Sequence, residues 1–250
     1  MIDASAVLAE GVSVGPYSII GPEVSIGAGT EIGPHVVISG ATRIGADNHI
    51  FQFASIGEAP QDKKYAGEPT RLEIGDRNTI REFVTINRGT QQDGGVTQLG
   101  DDNWIMAYVH IAHDCHIGNQ TIFANNASLA GHVNVGDYAI LGGFTLVHQF
   151  CSIGAHSLTA FGSGISKDVP PYVTVSGSPA RAHGLNMEGL RRRGFSDSVR
   201  MQLKQAYKIL YRENLSFQDA LARLRETGSG CSEVMLLVDF LEHQTRGIVR

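Results

Sequence analysis

Large aliphatic residues return every sixth position along this chain. The series starts at Ile2, Leu8, Val14 and Ile20, continues unbroken to Ile56, resumes at Ile74, Ile80 and Ile86, and then runs from Leu99 to Ile165. Of the 25 positions in register only Thr159 is not a large apolar residue, although just 42% of the whole chain is hydrophobic. Gly follows directly at twelve of these positions. A period of six fits neither a 3.6-residue helix nor a hairpin meander. It predicts a parallel β-helix over residues 1–184, with one side chain per short strand pointing into a continuous core.

The count is interrupted twice by polar inserts, at 58–71 (EAPQDKKYAGEPTR) and 88–98 (RGTQQDGGVTQ). The first spans an interval of 18 residues from Ile56 to Ile74 and keeps phase; the second, 13 residues from Ile86 to Leu99, adds one. Inserts in a solenoid emerge as side loops, a frequent place for ligands. The repeat is expected to end near Pro170-Pro171, because proline cannot continue ladder pairing.

Over 185–250 the period becomes helical. Val199, Leu203, Ala206, Tyr207 and Leu210 mark one apolar face; Phe217, Ala220, Leu221 and Leu224 a second; Val234, Leu237, Val238 and Leu241 a third. Ser216 with Asp219 resembles a capping box, and Gly228 suits a helix stop. Three short helices packed on the solenoid would cover its open end.

The charge is uneven. Residues 1–184 carry a balance of −8 and residues 185–250 one of +3, within a net charge of −5. An acidic body argues against nucleic acid as the main partner. Three cysteines without metal-ligand spacing suggest a reducing compartment. Neither a basic, apolar leader at Met1 nor an uninterrupted apolar run of about 18 residues is visible. The expectation is a soluble, cytoplasmic protein.

Three hexads per coil would stack residues 18 apart at about 4.8 Å. Asn87, then His110, His113 and Asp114, then His132, then His148 and Gln149 fall along one corner within roughly 15 Å, beside the second loop. Three readings fit such a column: a metal site, although no Cys joins it; a general base, since imidazole exchanges a proton near neutral pH; or a histidine-rich wall with no chemistry. Cys115 and Cys151 share the column two coils apart, too far for a disulfide.

The strings IGEAPQDKKYAGEPTRLEIGD, IREFVTINRGT, HIAHDCHIGN, LAGHVNVGD, VHQFCSIGAH, KDVPPYVTVSGSPA and NMEGLRRRGFS closely resemble the UDP-N-acetylglucosamine O-acyltransferases that begin lipid A biosynthesis. The resemblance covers essentially the whole chain. It implies a left-handed β-helix with a C-terminal helical domain, assembled as a homotrimer with sites between subunits. It also implies transfer of a 3-hydroxyacyl chain from acyl carrier protein to the glucosamine 3-hydroxyl of UDP-GlcNAc. No cofactor or metal is expected, because the column lacks a thiolate and a His base acting on a hydroxyl accounts for the chemistry.

By the same resemblance His113 is the general base, Asp114 its orienting acid and Gly143 a backbone oxyanion donor. A His113–Asp114 contact needs a corner conformation, because neighbours on a strand point to opposite faces. His110, His132, His148 and Gln149 match positions lining the sugar-nucleotide pocket, and Gln61, Asp62 and Lys64 match others around the sugar and acyl chain. Asn186, Glu188, Arg192 and Arg193 match uridine and phosphate contacts. Phe161 matches the end of the acyl groove, where a bulky side chain goes with shorter chains. Asn87 departs from the family, in which His is frequent there. A later N-acyltransferase of the same pathway usually carries an extra N-terminal domain, whereas this chain enters the repeat at Ile2. Transfer to a 3-amino UDP-sugar, giving an amide, would use the same residues, and a non-enzymatic solenoid scaffold would explain the hexads but not His113 with the NMEGLRRR match.

Overall fold

A computed structural model describes residues 1–250, the side chain of Asp93 excepted. Strands of mostly two residues, such as Val7–Leu8, Ser13–Val14 and Ile19–Ile20, wind into a triangular prism. Each prism face is a parallel sheet. Face 1 runs from Val7–Leu8 to Ser152–Ile153, face 2 from Ser13–Val14 through Leu158–Thr159, and face 3 from Ile19–Ile20 to Gly164–Ile165. The register pairs residues 18 apart in the regular coils, as in His110 with Ser128 and Ser128 with Leu146. Across the second insert the offset becomes 25, pairing Ile86 with Ile111.

The six-residue aliphatic series fills the interior, where Ile38, Ile56, Ile80, Ile86, Ile105 and Ile111 are fully buried. Thr159 breaks the series without an orphaned hydroxyl, since its Oγ1 bonds Thr145 Oγ1 at 2.7 Å and accepts the Gly142 N–H at 3.1 Å. Each edge turns through a residue with positive φ, among them Tyr108, Asp114 and Tyr138. The residue two before each series member is buried as well, as at Val36, Val84, Val109 and Val133, so each hexad sends two side chains inward.

Three expectations need correction. The second insert ends at Gly95, because Val96–Leu99 is a strand paired with Arg71–Ile74. The β structure passes Pro170-Pro171: the prolines occupy a turn, and Val173–Ser176 pairs parallel with Leu158–Thr159 and antiparallel with Arg181–Leu185. The tail holds four helices, α1 (Met187–Arg192), α2 (Asp197–Tyr211), α3 (Phe217–Gly228) and α4 (Ser232–His243). The predicted apolar faces are the buried ones, with Leu203, Ala206, Leu221, Leu224, Leu237 and Leu241 in one cluster. Ser216 Oγ accepts the Asp219 N–H at 3.1 Å and donates to its carboxylate at 2.6 Å, capping α3.

After α4 the chain returns to the prism. Buried Asp168 accepts the N–H groups of Thr245 and Arg246 at 3.0 and 3.2 Å, which pins the tail to the edge between faces 3 and 1. Cys115, Cys151 and Cys231 are all free and buried.

Candidate active site

Both inserts leave the prism at one edge, between faces 3 and 1. The first lies between strands Ser55–Glu58 and Arg71–Ile74, the second between Thr85–Asn87 and Val96–Leu99. On the next coil the same edge carries His113 and Asp114, between His110–Ile111 and His116–Ile117. Asp114 has φ +58°, the corner conformation that turns two sequence neighbours toward each other. His113 Nδ1 stands 2.8 Å from Asp114 Oδ2. The carboxylate fixes the tautomer with Nδ1–H, which leaves Nε2 as the nitrogen able to take a proton.

Asp114 is 1% exposed and held from several sides. Thr90 gives it two hydrogen bonds, its N–H to Oδ1 at 2.8 Å and its hydroxyl to Oδ2 at 2.6 Å. The Asp114 N–H donates to Thr97 Oγ1 at 2.8 Å. Burial pushes the Asp114 carboxyl up, but the bonds from His113 and Thr90, together with the nearby His132 imidazole, outweigh it and leave the group below its ordinary value. Asp114 therefore stays an anion beside the imidazole.

His132, one coil on, has its Nε2 3.8 Å from Asp114 Oδ2 and its ring edge-on to His113 at 5.1 Å. Phe150, on the coil beyond, stacks on His132 at 4.4 Å. His110 bonds Thr85 Oγ1 through Nδ1 at 2.7 Å, and burial, with the adjacent His113, lowers its proton affinity. His148 and Gln149 are exposed at the top of the same edge, and Arg246 Nη2 from the returning tail lies 3.4 Å from His148 Nδ1.

The inserts are tied to this wall and to each other. Arg88 reaches the Tyr65 hydroxyl through Nε and Nη2 at 3.3 and 3.2 Å, and donates to the Gly57 carbonyl at 2.9 Å. Asn87 is buried, its Nδ2 bonding the Glu58 and Ala59 carbonyls at 3.2 and 2.9 Å. The residue that departs from the family thus staples the root of the first insert. Gln61 and Lys64 are exposed on that insert, and Asp62 Oδ1 accepts the Lys64 N–H at 3.0 Å.

The remaining candidates lie on the other two edges of the same prism. Gly143 belongs to the turn between faces 2 and 3, after Ile140–Leu141 and before Leu146–Val147, so within one chain it does not share a wall with His113. The glycine at the imidazole is Gly131, stacked 18 residues on. A Cβ there would stand 2.7 Å from Nε2 and 3.0 Å from Nδ1 of His113, whereas a Cβ at Gly143 would meet the Asn125 carbonyl at 3.3 Å and Phe161 at 3.8 Å. Among the described residues, the Gly131 N–H takes no part in the ladder hydrogen bonds, while its carbonyl accepts Phe150 N–H at 3.2 Å. Phe161, 76% exposed, lies one coil above Gly143 with its ring edge-on to Phe144 at 5.9 Å.

Asn186, Glu188, Arg192 and Arg193 gather at the edge between faces 1 and 2. Asn186 caps α1 by accepting the Gly189 N–H at 3.1 Å, and donates to the His156 carbonyl at 3.1 Å. Glu188 pairs with Arg191 and Arg192, whose hydrogen bonds pull its carboxyl down to about 2. Arg193 donates to the Tyr138 carbonyl at 2.8 Å and covers that ring at 5.2 Å, while its Nη1 is buried without a partner. The exposed Arg192 guanidinium on the same helix suits an oxygen-rich anion.

Sequence reasoning missed Thr90, Thr97, Gly131 and Arg246. Thr90 stands in the string IREFVTINRGT and Gly131 in LAGHVNVGD, so both lay within recognisable motifs. Neither Thr97 nor Arg246 is marked by the hexad or the motifs.

A polar, histidine-lined edge on a hexad solenoid defines the class of hexapeptide-repeat transferases. Accordingly, the bacterial transferase hexapeptide (six repeats) family matches residues 5–40 and 97–131, and UDP-N-acetylglucosamine O-acyltransferase domain 2 matches residues 168–249. An acyl-[acyl-carrier-protein]–UDP-N-acetylglucosamine O-acyltransferase of Thiobacillus denitrificans is 64% identical over all of this chain and 97% of its own. One from Herminiimonas arsenicoxydans is 61% identical over the same shares. Solved LpxA structures from Acinetobacter baumannii and Moraxella catarrhalis superpose with TM-scores of 0.98 and 0.99 at 50% and 48% identity, each covering all of this chain and 97% of the other. The chain belongs to the UDP-N-acetylglucosamine O-acyltransferase family, and its prism is the left-handed parallel β-helix of that family.

Proposed function

We propose that this protein transfers a 3-hydroxyacyl chain from acyl carrier protein to the 3-hydroxyl of the glucosamine in UDP-GlcNAc, the opening step of lipid A biosynthesis. The observation that carries the reading is the Thr90–Asp114–His113 array, a buried carboxylate holding an imidazole with its far nitrogen available. In this mechanism His113 Nε2 takes the hydroxyl proton as the sugar oxygen attacks the thioester carbonyl. The tetrahedral oxyanion is met by a backbone N–H, and the close approach of Gly131 to the His113 ring supports that glycine as the donor. Collapse breaks the C–S bond, and the departing thiolate takes the proton back from His113. His110, His132, His148 and Gln149 line the sugar side, and Gln61, Asp62 and Lys64 close it from the first insert. Incubating the protein with UDP-GlcNAc and a series of 3-hydroxyacyl carrier-protein thioesters, with products read by mass spectrometry, tests the reading. No acylated UDP-sugar from any donor would overturn it; acylation of a 3-amino UDP-sugar alone would make the acceptor an amine and the product an amide.

The working unit in this proposal is a homotrimer. Candidate residues occupy three different edges of one prism, so Arg193 and Phe161 can meet the His113 edge only across a subunit boundary. Tyr17, Phe53, Phe83, Tyr108, Phe144 and Phe161 are all exposed along the edge between faces 2 and 3, and the rings from Tyr17 to Tyr108 stack at 4.8–5.2 Å with His35 among them. An apolar stripe of this length marks an interaction surface. No helix among the described residues is long and apolar enough to cross a membrane. A cytoplasmic location fits the three free, buried thiols.

At the proposed groove end, Phe161 fills the space of the last methylenes. Excluding or mispacking one methylene costs roughly 1–3 kcal/mol, which sets a preference of one or two carbons. Phe161→Gly is expected to raise kcat/KM for longer 3-hydroxyacyl donors relative to the native one, on the order of tenfold for the first extension. An unchanged length profile would show that this ring is not the ruler.

His113, Asp114 and His132 also offer three ligand atoms within 4.8 Å of one another, a set compatible with a metal ion. Asp114 Oδ2 is already engaged by Thr90 and His113, and no thiolate joins, since burial pushes Cys115 up to about 12. Turnover is expected to survive exhaustive chelation. Activity lost to chelator and restored by zinc would put a metal in the mechanism.

A further inference from the structure

We propose that Thr90 is a positioning residue for acyl transfer: reaching in from the second insert, it clamps both carboxylate oxygens of Asp114 and so fixes the His113 imidazole. The proposal rests on the functional reading above. Thr90 N–H and Oγ1–H meet Oδ1 and Oδ2 respectively, so the carboxylate cannot rotate without breaking one of them. The oxygen that receives the hydroxyl is the one facing His113 Nδ1, which makes orientation of the base depend directly on this side chain.

Three features separate this arrangement from ordinary loop anchoring. Thr90 precedes the short helical turn Gln91–Asp93, where a threonine hydroxyl would commonly cap the turn, yet it makes no cap bond. Its hydroxyl is instead committed to Asp114. Secondly, Thr90 is 4% exposed although it sits on an insert, so the hydroxyl–carboxylate pair is shielded from competing water. Thirdly, the insert closes tightly beside the carboxylate, because a Cβ at Gly89 would meet the backbone of Gly95 and Val96 and would also stand 2.8 Å from Asp114 Oδ1. The turn closes on Gly94 at φ +78°, and the chain comes straight back to Thr97, whose Oγ1 accepts the Asp114 N–H. Asp114 is therefore held at both ends, its carboxylate by Thr90 of the insert and its N–H by Thr97 of the strand that follows.

The clamp also connects the two inserts to the base. Arg88, two residues before Thr90, holds the Tyr65 hydroxyl of the first insert. Loss of the Thr90 bond would release the Asp114 carboxylate to swing, and the imidazole with it. Misplacement of a catalytic group on the order of 1 Å can cost about 100-fold in rate.

The test compares Thr90→Val, which removes the hydroxyl but keeps shape and backbone N–H, with Thr90→Ser, which keeps the hydroxyl. Thr90→Val is expected to lower kcat by about 10- to 100-fold, the range set by a hydrogen bond to a charged group, with KM for UDP-GlcNAc within about twofold. Thr90→Ser should recover most of the rate. In proton NMR the low-field resonance of the His113 Nδ1–H should be present in wild type and Thr90→Ser and shifted or broadened in Thr90→Val. A well-folded Thr90→Val with wild-type kcat and an unmoved resonance overturns the proposal. So does Thr90→Ser as slow as Thr90→Val, since the methyl rather than the hydroxyl would then matter. If Thr90→Val fails to fold, Thr90→Ala carries the same comparison with Thr90→Ser. Wild-type protein without acyl transfer would instead overturn the functional reading itself, and this role with it.

Discussion

His113→Ala is expected to abolish nearly all acyl transfer, by 10²–10⁴-fold in kcat, while the protein remains folded. The rate effect follows from removing an imidazole whose orientation a buried carboxylate fixes at 2.8 Å. Folding should survive because Asp114 is not left bare. It keeps the Thr90 N–H and hydroxyl, and His132 Nε2 still stands 3.8 Å from Oδ2. Leaving a buried charge without any donor would be far more costly. The measurement pairs kcat for the variant with its melting temperature and oligomeric mass. Near-normal turnover in a correctly folded variant would remove His113 from the mechanism. His110→Ala should act mainly on KM, because His110 Nδ1 is engaged with Thr85 at 2.7 Å rather than with the Asp114 carboxylate.

The hexad made the prism legible because strand, core position and turn repeat with the same phase, so one count places every coil. The same arithmetic brings His113, Asp114 and His132 to one edge. What it could not place came from outside that phase. Thr90 arrives from an insert whose length shifts the register to 25 residues, so its distance from Asp114 is not a stacking interval. Arg246 reaches His148 across 98 residues only because Asp168 pins the returning tail. The short helix Met187–Arg192 spans fewer than two turns and shows no apolar period. Pro170-Pro171 signals an end to pairing, yet both fit a turn, so the strand beyond was hidden. Gly143 and Gly131 both open a corner, but within one chain only Gly131 lies against the imidazole.

Gly131→Ala should therefore be the more damaging of two glycine substitutions. Neither glycine has a positive φ, so alanine is acceptable to the backbone at both and folding should be retained. The difference lies in what a methyl would meet. At Gly131 it would press on the His113 ring, 2.7 Å from Nε2, the atom proposed to carry the proton. That ring cannot simply retreat, because Nδ1 is tied to Asp114 and His132 abuts it edge-on at 5.1 Å. The imidazole must tilt, and the backbone N–H offered to the oxyanion becomes crowded as well. A displacement on the order of 1 Å implies a loss of about 100-fold in kcat. At Gly143 the closest neighbour is the Asn125 carbonyl at 3.3 Å, which a small shift relieves, so Gly143→Ala should stay within a few-fold of wild type. Steady-state kinetics on the two variants, with melting temperatures alongside, read the contrast directly. Equal and mild effects would mean that the imidazole has room the structure does not give it. A severe loss at Gly143 with a mild one at Gly131 would return the oxyanion role to the edge between faces 2 and 3, reached from a neighbouring subunit.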